Sequence, residues 1–341
     1  MGTHLGPAAA SASAEELLRE GRRQDLGCRP AEAMECYAAV IDLTGELRLR
    51  AEALRRLGVL HHLRVEPEIA RDLCQRSCEV ALQAGADDLA ADACNALAGF
   101  ALERGDLTEA QARYHHALDL AGDNPSLVAK VEQNLGIVAN IQGEWSDALD
   151  HYSRSLAAYE ASADKRGCAF AHHNLGMIHA DRKRWAEADR HYQTSQALAV
   201  SAGDLHLGGL ALMNRAEVRL TQGDYEGARA GAEQALAIFT KVEARRHKAG
   251  AHRLLGMIFR HRGQLALAES HLRSALEIAA GACCPLIEAD AAKELAALYE
   301  GEGRRADAIG LLTLAQELYG QLKARVDLGE VEERIGELQT A

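Results

Sequence analysis

Aromatic side chains are scarce in this chain: 4 Phe, 2 Trp and 8 Tyr make up 4% of its 341 residues. With alanine abundant, so few rings suit small-residue helix packing and argue against a sheet-rich core. Proline is scarcer still, at 5, which leaves long helices uninterrupted. No apolar run is long enough to cross a bilayer. Met1 to Ala12 carry no basic segment ahead of an apolar one, so residues 1–13 read as a flexible leader, not a signal peptide. Gly6 stands where a myristoylation site after Gly2 wants Ser or Thr. Basic residues number 38 against 50 acidic ones, for a net charge of −12. That balance disfavours non-specific binding to nucleic acid or to an anionic membrane.

Catalytic signatures are missing too. There is no P-loop, Rossmann glycine pattern, nucleophile elbow or kinase motif. The histidine pairs at 61–62, 115–116 and 172–173 are consecutive. On a helix, neighbours point about 100° apart and cannot chelate one ion as residues i and i+4 do. No CxxC pair, HExxH or zinc-finger spacing occurs, so neither a metal nor a cofactor is expected, and the chain does not read as an enzyme. Of the eight cysteines, six fall in predicted helices and Cys283 and Cys284 share a predicted loop. They read as small buried hydrophobes in a reducing cytoplasm.

What is present is a period. Alanine recurs at 33, 70, 110, 148, 188, 228, 268 and 308, each twelve residues after a small residue. Those partners are Gly21, Gly58, Ala98, Gly136, Gly176, Ala216, Gly256 and Ala296. The last four intervals are 40 residues each, and a fixed period of that length marks a repeat array.

Residues 129–160 show the repeat at its clearest. Val131, Leu135, Val138 and Ala139 recur at helical spacing, and Gly136 permits close approach of a second helix. Gly143 breaks the helix. Ala148, Leu149, Tyr152, Ser155 and Leu156 then form the inner face of another. Such an antiparallel pair cannot bury both faces alone and must stack on its neighbours. The turn glycine recurs as Gly27, Gly105, Gly143, Gly223, Gly263 and Gly303; Glu66-Pro67 and Lys183-Arg184 replace it elsewhere. Trp145 and Trp185 follow the turn as packing aromatics.

The segments NLGIVANIQGEWSDALDHYSRSL and NLGMIHADRKRWAEADRHYQTSQ resemble the tetratricopeptide repeat. The resemblance runs over residues 14–320, with repeats near 14–46, 50–85, 90–121, 128–161, 168–201, 208–241, 248–280 and 288–320. It implies an all-α, right-handed solenoid of eight helix pairs. The 40-residue period is similar to the long-helix subclass of the LGN/Pins adaptors, the kinesin light chains and many bacterial regulators. Two slots depart from the pattern: Glu20 and Arg215 stand where leucine is usual. Residues 323–341 follow as a capping helix, with Val326, Leu328, Val331, Ile335 and Leu338 on one stripe.

In this family the first helix of each pair lines the concave face. The resemblance therefore implies a groove lined by Asn95; by Lys130, Gln133, Asn134, Ile137 and Asn140; and by Phe170, His173, Asn174 and Met177. Met213 and Asn214 continue it, with Arg253 and Arg260 beyond. Asp181 and Glu217 also point inward. Asn134, Asn174 and Asn214 occupy one slot in three successive repeats. A side-chain amide both donates and accepts, so it can hold the backbone of an extended peptide without reading its sequence. The same asparagines can instead bond between adjacent repeats. Arg253 and Arg260 suit a carboxylate in the ligand, or a salt bridge to Glu294.

These readings converge on an adaptor that binds a peptide segment of a partner protein, extended or helical, with an acidic residue near repeat seven. A peptide-sensing regulatory module and a self-assembling scaffold are the other uses that fit the sequence.

Overall fold

The computed structural model describes residues 7–340. It divides into two compact bodies, residues 1–164 and 165–341. The first holds α1 (Pro7–Leu26), α2 (Pro30–Leu43), α3 (Leu47–Leu63), α4 (Pro67–Gln83), α5 (Asp87–Glu103), α6 (Leu107–Ala121), α7 (Pro125–Gln142) and α8 (Trp145–Ala161). The second holds α9 (Lys165–Asp181), α10 (Trp185–Ser201), α11 (Leu205–Thr221), α12 (Tyr225–Lys241), α13 (Arg245–His261), α14 (Leu265–Gly281), α15 (Pro285–Gly301), α16 (Arg305–Leu322) and α17 (Arg325–Thr340). Each body is an all-α solenoid of antiparallel helix pairs. Of the expected leader, residues 1–6 lie outside the described residues, and Pro7 to Ser13 form the first turns of α1. Proline is tolerated in a first turn, and the alanines after it favour helix.

Local chemistry sets the helix ends. Proline opens α2, α4, α7 and α15, while Asp106, Asn124, Asp204 and Asp224 accept hydrogen bonds from the first-turn amides they cap. Where the turn needs a left-handed residue, Gly105, Gly143, Gly223, Gly263 and Gly303 supply it. In the first repeat that backbone falls on Cys28, not Gly27, which leaves Cys28 in an exposed turn instead of a helix. Val65 and Lys183 take the same conformation where glycine is missing.

All eight alanines of the periodic series are fully buried. Their small partners admit a large side chain from the second helix. A Cβ at Gly136 would lie 2.6 Å from the Tyr152 ring, and one at Gly176 2.7 Å from Tyr192. The sixth repeat solves the same contact with Ala216 against Ala232. Arg215, in the usual leucine slot, makes two hydrogen bonds to Asp189 on α10, at 2.7 and 3.0 Å.

Within each body the first helices approach one another: α1, α3, α5 and α7 in succession, then α9, α11, α13 and α15. No second helix approaches another second helix as closely. The first helices therefore form the narrower, concave layer. At the far end of the second body α17 packs on α16. Val331 is buried there, with Leu328, Ile335 and Leu338 against the same core. Val326, at the start of the stripe, points to solvent and is 76% exposed.

Candidate functional site

Every groove residue expected from the sequence lies outside the buried core. In the first body, the Asn134 side-chain amide donates to Asn95 Oδ1 at 2.9 Å, from α7 back to α5. Gln133 accepts from the Tyr159 hydroxyl at 3.2 Å. Lys130 is exposed, and Ile137 and Asn140 are half-buried on the same helix.

In the second body the same register repeats. The Asn214 amide donates to His173 Nε2 at 3.1 Å, from α11 back to α9. Burial lowers the His173 pKa, while its neighbour Asn174 raises it; the net fall keeps this ring neutral and able to accept. Two of the three slot asparagines thus bond to the preceding repeat through one N–H. Asn134 retains a second N–H and a carbonyl oxygen for another partner, while the Asn214 amide also bonds the Tyr192 hydroxyl and retains its carbonyl oxygen. Phe170 lies half-buried under the Arg166 guanidinium, 5.5 Å from its ring centroid. Met213 packs against the core beneath α13.

Arg253 and Arg260 are engaged inside the array. Arg253 pairs with Glu217 at 3.4 Å and Arg260 with Glu294 at 2.9 Å. Each pair joins successive first helices.

Between α9, α10 and α11 a cavity of about 400 Å³ opens beside Asn214. Met177 and Trp185 wall it, Ala180 and Val218 supply apolar floor, and Asp181 and Glu217 add carboxylates. Met177 is 36% exposed, enough to meet a ligand. Trp185 packs against the cluster of Tyr192 and Val218 while keeping part of its surface open. Sequence reasoning gave Trp185 a packing role only. The signal for its second role is the spacing that puts Met177 and Asp181 one turn apart, just before it.

A larger cleft of about 740 Å³ lies along α14, α15 and α16, over Leu276, Leu295, Leu311 and Leu314. Part of its polar rim is satisfied within the chain, while Glu277 and Glu288 line it with no ion pair among the described residues. Arg273 donates to Tyr299, Tyr299 donates to Glu269, and the Arg304 guanidinium sits 3.6 Å from the Tyr299 ring centroid. Volume alone does not make it the better site, because it offers no amide, indole or thioether beside those carboxylates. Among the described residues no group of three or more His, Cys, Asp or Glu side chains is placed to hold a metal ion, and no helix is long and apolar enough to cross a membrane.

Stacked helix pairs with a first-helix groove define a repeat protein of the interaction class. The tetratricopeptide repeat family model matches residues 89–161, 167–241 and 209–281, more than half of the chain, and the chain belongs to that family. No curated protein sequence matches it.

Solved structures share the fold. A Signal Transduction ATPase with Numerous Domains (STAND) protein from Pyrococcus horikoshii, with a tetratricopeptide repeat sensor, is 16% identical with a TM-score of 0.73. The match covers 94% of this chain but 48% of that one, so this chain spans about half of that protein's length. A Rap protein complexed with Competence and Sporulation Factor is 15% identical with a TM-score of 0.63, covering 98% of each chain. A tetratricopeptide repeat protein from Parabacteroides merdae is 15% identical with a TM-score of 0.53, covering 82% of this chain and 99% of that one.

Proposed function

We infer that this chain is a non-enzymatic adaptor that holds a peptide segment of a partner protein against its first helices. The observation that carries the reading is the cavity beside Asn214, where an open amide carbonyl meets the exposed Met177 side chain and the half-buried Trp185 ring. Adaptable apolar surface beside a few placed polar groups is what a peptide site requires. The 40-residue period supports membership of the long-helix subclass. Eight cysteines, none in a disulfide among the described residues, support a reducing cytoplasm. An acidic ligand residue near repeat seven would have to draw Arg253 and Arg260 away from Glu217 and Glu294.

The test is affinity capture from the native source with wild type and with Thr221→Trp. Thr221 lines the cavity, is exposed, and spends its hydroxyl on the Val218 carbonyl of its own helix. A bulky ring there fills the site while helicity and melting temperature stay unchanged. Capture should be lost; capture that survives refutes the groove.

A second reading, peptide sensing, draws on two of the neighbours: one carries a tetratricopeptide repeat sensor and the other is complexed with a named factor. It requires the radius of gyration to change when a captured peptide is added, and an invariant scattering profile removes it. Self-assembly requires a mass that rises with concentration in sedimentation, without ligand.

A further inference from the structure

The cavity between α9, α10 and α11 is lined by two carboxylates, Asp181 and Glu217, and by no lysine or arginine. Asp181 forms no ion pair among the described residues, in contrast to the Arg215–Asp189 pair a few residues away. Its pKa is raised, and crowding by the surrounding protein is the sole cause; no cation lies near enough to offset it. Glu217 keeps 44% of its side-chain surface open, yet its pKa is raised as well. Desolvation comes first there and outweighs the opposing pull of Arg253, with Asp290 adding repulsion.

A neutral segment entering this cavity would strip water from both carboxylates and return nothing. An acidic segment would add repulsion. A cationic side chain relieves both. Its aliphatic stem has matching surfaces in the Met177 thioether and the Trp185 ring, which also offers a π face to the charge. Asn214 lies beside them with an open amide carbonyl.

We propose that the cavity walled by Met177 and Trp185 selects a partner segment bearing an arginine or lysine next to an apolar residue, with Asp181 as its principal counter-charge and Glu217 as the second. The proposal rests on the groove reading above and adds the charge of the ligand to it.

The test pans a phage-displayed library of random peptides on the full chain. Enriched sequences should share a basic residue beside an apolar one. A synthetic peptide from the enriched set should bind Asp181→Asn about tenfold more weakly than wild type. Replacing the peptide's basic residue by Gln should weaken binding to wild type by the same factor and to Asp181→Asn by little. Asp181 has no ion pair or side-chain hydrogen bond among the described residues, so this variant leaves the fold intact, which an unchanged melting curve checks. Enriched peptides without a basic residue, or binding equal in wild type and Asp181→Asn, overturn the selection for a cation. If those peptides are still blocked by Thr221→Trp, the groove reading stands without it. A library that yields no binder, or binders indifferent to Thr221→Trp, removes both.

Discussion

Asn134 and Asn95 form an amide-to-amide hydrogen bond of 2.9 Å between the fourth repeat and the third. The Asn214–His173 bond is its counterpart in the second body, between the sixth repeat and the fifth. A slot whose chemistry suits peptide backbone is thus also a tie between neighbours. Removing Asn134 should lower stability by about 1 kcal/mol, and so should removing Asn95. Because each change deletes the same bond, Asn95→Ala with Asn134→Ala should cost little more than either alone. Urea unfolding of the four proteins measures that coupling.

Gly136→Ala should destabilise the protein by about 1–3 kcal/mol, because the new methyl meets the Tyr152 ring. Tyr152 is itself buried, so adding Tyr152→Ala trades the clash for a cavity and should lower stability further. A double variant melting above Gly136→Ala would show that the small-residue contact of the sixth repeat transfers to the fourth.

Acid should weaken the second body through its histidines. His172 and His191 lie 3.0 Å apart Nδ1 to Nδ1, and His252 and His271 lie 3.1 Å apart in the same way. Burial first, and the neighbouring rings second, bring His191 and His252 down from 6.5 to about 4. The unfolded rings accept protons near 6.5, so the fold favours the neutral form. Their contribution is complete above about pH 6.5 and is lost as pH falls towards 4. Burial pushes the Asp189 carboxyl up, but Arg215 and Arg219 together outweigh it and hold it low, so its share is lost only below the ordinary carboxylate range. Melting temperature should therefore already drop between pH 7 and 5, and less steeply in His191→Gln with His252→Gln.

Val65→Gly should stabilise the protein. Val65 is a β-branched residue at φ +62° with 85% of its surface exposed, so its side chain returns little for the strain. Relief of about 1–2 kcal/mol exceeds the backbone entropy that glycine adds, about 0.5–1 kcal/mol. A higher urea midpoint for this variant is the expected result.

The alanine series and its small partners were legible in the sequence because every repeat uses the same contact, and all eight alanines are buried. Arg215 was not, since its partner Asp189 sits 26 positions earlier on α10 and no local rule connects them. The left-handed turn at Cys28 escaped notice because Gly27 beside it is the residue that ordinarily takes it. Asp181, Glu217 and Trp185 each had a separate place in the sequence: two inward-pointing carboxylates and a packing ring. What brings them to one cavity is the meeting of three helices, which no single helix pattern encodes.

The fit of Gly136 to Tyr152 is settled inside one helix pair, whereas the Asn134–Asn95 bond joins two pairs. A pair moved elsewhere in the array keeps that fit but must bury its outer faces against new neighbours, because each core cluster draws on successive pairs. Such a chain can lengthen or shorten by duplication of whole pairs. A newly inserted pair would be packed from both sides at once, and an asparagine on its first helix would add a polar tie to that packing.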